Sequence, residues 1–131
     1  MTQLDLGDGL RLLHEARTAE HFGHESHLRF AWALLDSADD VETAELVAGL
    51  TIRHVAELGG NPDKYNCTVT IFWIRVLDHV RETHEGLSTL EEAFDVWPDL
   101  RDPHLPDRHW SDVNSEEARE HWVEPDLNPM P

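Results

Sequence analysis

The sequence predicts an all-α protein: one small bundle of about five to six helices, closed by an irregular, proline-rich C-terminal segment. Three observations carry this. His24, His27, Leu28, Ala31, Trp32 and Leu35 recur at steps of three and four, which is one stripe of a 3.6-residue helix. Helix stops and starts punctuate the chain, with Gly59-Gly60 and Gly86 as stops and Asp39, Asp40 and Ser88 as starts. Finally, 131 residues that are 40% hydrophobic, with five Trp and four Phe, suit a single domain able to bury a core without metal or disulfide staples.

Taken in order, residues 1–8 form a loose lead-in, and Asp8 caps a first helix from about Gly9 to Thr18. The second helix starts near His24. The third runs from Val41 to Leu58, with Val41, Ala44, Val47, Ala48, Thr51, Val55 and Leu58 inward and Gly59-Gly60 ending it. Asn61-Pro62-Asp63 opens the fourth, which continues to His84 or Glu85. Its residues 67–76 are rich in β-branched and aromatic types that also suit a buried strand. Length and flanking caps favour a nearly buried central helix, as does a thin polar stripe through Lys64, Thr68, Arg75, Asp78 and Glu82. Ser88-x-x-Glu91 reads as a capping box for a fifth helix ending near Trp97. Residues 98–131 are mostly irregular, with one short helix from about Ser115 to Trp122 capped by Asn114 and a tail anchored by Trp122 and Leu127.

The formal charge of −17 repels phosphate backbones and anionic lipid, so neither nucleic acid nor a membrane surface is an expected partner. A small-molecule ligand is expected, and a basic protein or a second copy of the chain is the alternative partner. Cys67 is the only cysteine, so no internal disulfide forms; no basic start is followed by an apolar run, so a signal peptide is not expected and the Asn66-Cys67-Thr68 glycosylation triplet is given no weight. No stretch approaches the ~18 apolar residues of a membrane span, and the cytoplasm is the expected location.

Short connections make consecutive helices antiparallel, so helices two, three and four run up, down, up. That topology draws His24, His27, His54, Tyr65 and Asn66 to one end, with Thr70 one turn deeper. His24 and His27, held neutral by a helix N-terminus, are candidate bases, and Tyr65 is a candidate acid or hydrogen-bond donor. Asn66, Thr70, Trp32 and His54 are candidate substrate contacts. His24 and His27 at i,i+3 supply only two metal ligands where zinc wants three or four; His54 is the third candidate and His21 the next. A divalent metal is therefore a candidate cofactor, while the absence of any Gly-rich phosphate loop or dinucleotide fingerprint argues against a nucleotide. Plainer readings stand beside these. The two histidines also suit capping or core positions, Thr70 suits a bond to the Asn66 carbonyl, and Cys67 suits a small buried hydrophobe.

Three blocks carry a resemblance. Phe22-x-His24-x-x-His27-Leu28-Arg29-x-Ala31-Trp32, Lys64-Tyr65-Asn66-x-Thr68-Val69-Thr70 and Val123-Glu124-Pro125-Asp126-Leu127 resemble, in order, the signature blocks of a family of small all-helical bacterial proteins. The resemblance implies a helical domain whose first two blocks belong together, and it implies no reaction. The family's second block commonly reads Lys-Tyr-His, and here its third place is Asn66, a departure that bears on any metal carried over from the family.

Overall fold

The computed structural model describes residues 4–16, 23–60 and 65–131. Among these residues six α-helices follow one another: α1 (Leu6–Ala16), α2 (His24–Ser37), α3 (Val41–Leu58), α4 (Cys67–Thr83), α5 (Leu90–Val96) and α6 (Glu116–Glu120), with 3-10 turns at Pro98–Arg101 and Leu105–Arg108. Among the described residues no helix is long and apolar enough to cross a membrane.

Local chemistry sets most helix ends. Asp5 and Asp8 exchange bonds with each other's backbone N–H at 3.1 and 2.9 Å, so α1 begins at Leu6, earlier than a cap at Asp8 predicts. Asp40 caps α3 by accepting from the Thr43 N–H. Gly60 (φ 73°) and Gly86 (φ 86°) supply left-handed turns past α3 and α4. The capping box of α5 is Thr89 with Glu92, one residue on from the Ser88–Glu91 pair the sequence suggests, because Glu91 is taken up by Arg29 at 2.6 Å. Ser115, not Asn114, caps α6.

The core is the seam between α2 and α4, where Leu28, Phe30, Leu34, Phe72, Trp73 and Leu77 are fully buried, each stabilising the fold by roughly 1.5–3 kcal/mol. Residues 67–76 are helical throughout: when every side of a helix is covered, β-branched residues pack as well as any other apolar type. α1 lies so close to α3 that a Cβ on Gly9 would sit 2.0 Å from the Thr51 hydroxyl oxygen, which explains a glycine inside a helix.

Several expectations need correction. α4 is capped by Asn66 and starts at Cys67, so Tyr65 and Asn66 are not helical; the proposed opening at residues 61–63 lies outside the described residues. α3 therefore overhangs the start of its neighbour, and Val55 and Leu58, expected inward, are 42% and 75% exposed. Thr68, expected on the polar stripe, is instead fully buried beneath the C-terminal segment. That segment is anchored by Trp110, edge-on to Phe72 at 5.5 Å, and by Trp122, whose ring lies under the Arg75 guanidinium at 4.3 Å; Leu127 is 54% exposed and ties the tail down through its backbone N–H, which donates to the His109 carbonyl at 2.9 Å.

Candidate functional site

The register of α2 on α4 decides which polar residues meet. His24 stands edge-on to Trp73, ring centroids 4.8 Å apart, and Arg81 lies over Trp32 at 4.9 Å while pairing with Asp36. The two helices thus run parallel, as the connections predict, but His24 is level with the seventh residue of α4. The start of α4 lies roughly 9 Å further along the axis. Tyr65 and Asn66 sit at that lower level and do not share His24's surroundings. α3 runs antiparallel to α4, tied by Arg75 to Glu45 at 2.7 Å, so its C-terminal part, with Arg53 and His54, reaches the level of Tyr65. The expected convergence thus separates into a histidine pair above and a tyrosine group below.

In the upper group, the His24 Nε2 donates to the Leu100 carbonyl at 2.8 Å. A carbonyl only accepts, so Nε2 carries the proton and Nδ1 is left as an acceptor when the ring is neutral. His27, one turn on, is partly accessible, yet burial lowers its pKa to about 4, and the charge His24 would carry lowers it further. Trp32 is buried two turns away under Arg81 and belongs to neither group. Among the described residues no three His, Cys, Asp or Glu side chains are placed to hold a metal ion, so His24, His27 and His54 do not make a ligand set; His21 lies outside the described residues.

In the lower group, both ends of the Asn66 amide are engaged. Its oxygen accepts from the Val69 N–H at 3.0 Å and its nitrogen donates to the Val113 carbonyl at 2.9 Å. Thr70 is buried, and its backbone N–H bonds the Asn66 carbonyl. Thr68 donates to the His121 carbonyl at 2.8 Å and accepts from the Val123 N–H at 3.3 Å. The second of the three sequence blocks is therefore bonded to the third, through main-chain groups.

These bonds set α6 beside the end of α3 and open a cleft of about 460 Å³ lined by Arg53, Glu57, Tyr65, Glu116, Arg119, Glu120 and His121. Burial, then a hydrogen bond with Cys67, pushes the Tyr65 phenol well above its ordinary pKa, against the smaller opposing pull of Arg53. Tyr65 is thus protonated at neutral pH and gives up its proton less readily than a free phenol. Arg53 is held by Glu57 at 3.2 Å, whereas Arg119 has no ion-pair partner among the described residues. Only Tyr65 of this lining was foreseen. The rest depends on where α6 docks, and the hint in the sequence is a pair of polar residues, Asn66 and Thr68, beside the apolar run of the first half of α4. No protein-family model, curated protein or solved structure matches the chain, so residues and geometry alone carry the functional reading.

Proposed function

We propose that the protein binds a small polar molecule in the cleft between α3 and α6. The observation that carries this is the cleft itself: a volume of about 460 Å³, within the range of small-molecule sites, with a protonated phenol, two guanidinium groups and three carboxylates on its walls. Tyr65 is the hydrogen-bond donor, and Arg119 the cation free to pair with a ligand. Asn66 and Thr68 build the wall by holding the C-terminal segment, Thr70 packs in the buried helix behind them, and His24 and His27 serve the bundle above it. The test is a screen of small polar metabolites by heteronuclear NMR on wild type, Tyr65→Phe, Arg119→Gln and His27→Ala. Hits are expected to shift the amides around Arg53, Arg119 and His121, to weaken in the first two variants and to persist in the third. Ligands that bind all four proteins alike, or that need His27, would move the site elsewhere.

A second reading, an acidic accessory protein for a basic partner, has one specific observation behind it. Glu42, Glu45, Asp78 and Glu82 line a single groove, and the Asp78 carboxyl is pushed upward by burial and then by Glu82, with Glu42 and Glu45 adding. Partner binding at this groove is expected to weaken steeply as salt rises. Salt-insensitive binding would count against it.

A further inference from the structure

Resting on the reading of the cleft as a small-molecule site, we infer that its ligand is a cationic amino acid: one carboxylate for Arg119 and Tyr65, and ammonium or guanidinium groups for Glu116 and Glu120. The argument is one of charge matching within a single lining. Arg53 and Glu57 sit four residues apart on α3 and neutralise each other at 3.2 Å. Among the described lining residues what remains is one permanent cation, Arg119, and two carboxylates, Glu116 and Glu120, which share a helical face at i, i+3 and i+4; the His121 ring stands 4.0 Å from Glu120 and pairs with it only when protonated. Although both carboxylates lie within a turn of it, Arg119 forms no ion pair with either; it lines the cleft half-buried, its charge unspent among the described residues. Their contact with solvent is what a ligand would replace.

A molecule that satisfies one guanidinium and two carboxylates carries one negative and two positive groups. A plain diamine would bring its charges to the carboxylates but leave Arg119 facing a cation. A dicarboxylate would satisfy Arg119 and Tyr65 but meet Glu116 and Glu120 with like charge, which is destabilising. Tyr65, kept protonated, is a neutral donor that can turn its one O–H from Cys67 to the second carboxylate oxygen. The field of a chain carrying −17 also concentrates a ligand of net charge +1 rather than an anion.

The experiment is an NMR titration of the full chain with L-lysine and L-arginine, beside 1,4-diaminobutane and glutarate, which each lack one half of the recognition. Saturable shifts centred on Arg119, His121 and Arg53 are expected with the two amino acids. Affinity should be roughly tenfold weaker or worse for the diamine and the dicarboxylate, and should fall by a similar factor in Arg119→Gln and in Glu116→Gln/Glu120→Gln. All the substituted residues lie on the cleft surface, and circular dichroism checks that the variants keep their helices. A diamine or dicarboxylate that binds the cleft as tightly as lysine overturns the ligand class and leaves the cleft a binding site. So does another class of metabolite that binds there while lysine and arginine do not. A cleft that no probe and no library compound perturbs overturns the class and the reading beneath it together.

Discussion

At neutral pH the His27 imidazole carries no charge, because burial lowers its pKa from 6.5 to about 4, with His24 adding to the shift. Above pH 6.5 neither the folded nor the unfolded chain holds a proton there. As pH falls below that value the unfolded chain takes up a proton that the fold resists, and stability declines until about pH 4, where both states are protonated. Over pH 7 to 5 the loss from this one group is about 2 kcal/mol as an upper bound. Urea unfolding at the two pH values should show wild type losing more stability than His27→Gln by up to that amount. Equal losses would mean that His27 titrates normally. His24 acts differently: its Nε2 donates to the Leu100 carbonyl and so fastens α2 to the segment after α5.

At the scale of elements, α4 organises the molecule, and its first turn is where the C-terminal segment is fastened. Thr68 is fully buried and satisfies two main-chain groups, the His121 carbonyl and the Val123 N–H. Thr68→Val keeps the shape and removes both part-buried bonds, at about 0.5–1.5 kcal/mol each. The variant should lose about 1–3 kcal/mol in denaturant unfolding, and its Val123 amide should exchange faster with solvent. An unchanged exchange rate at Val123 would show that Thr68 does not hold the segment. Asn66→Ala removes the helix cap and the bond to Val113, so a loss of about 1–2 kcal/mol is expected, together with disturbed NMR signals around Tyr65 and Arg119, since the cleft depends on the same attachment. The Asn at this position is thereby accounted for as a cap and a tether.

Across the whole molecule, a charge of −17 works against compactness. The strain is most local at Asp78, whose carboxyl is raised by burial and by Glu82, Glu42 and Glu45, against the opposing pull of Arg81. A carboxyl whose folded pKa is raised weakens the fold once it ionises. Asp78→Asn should therefore stabilise the protein at pH 7 by a few tenths of a kcal/mol, a gain that disappears as pH falls below the ordinary carboxylate range. Thermal melts of wild type and variant at pH 7 and pH 3 would show it; a variant that melts lower at pH 7 would contradict it. Added salt should raise the melting temperature of both proteins at neutral pH by screening the shared repulsion, and should raise it less in the variant.

The helical class, the course of α2, the span of α3 and the turns at Gly60 and Gly86 were all legible in the amino-acid order. Each is set by interactions within three or four residues: a cap accepting from an N–H one turn on, a glycine free to take positive φ, apolar side chains recurring at 3.6. The one-residue slip at the α5 cap shows the limit of this local reading, since Ser88 and Thr89 both suit the cap and Arg29 of another helix claims Glu91. Tertiary structure alone decided that His24 lies against Trp73 rather than beside Asn66, and that α6 supplies one wall of a cleft with Tyr65 in another. Such facts depend on how one helix slides along another, and on single bonds such as Asn66 to Val113, which join positions 47 residues apart. No local pattern marks those partners, because a backbone carbonyl looks the same at every residue until the fold brings a donor to it.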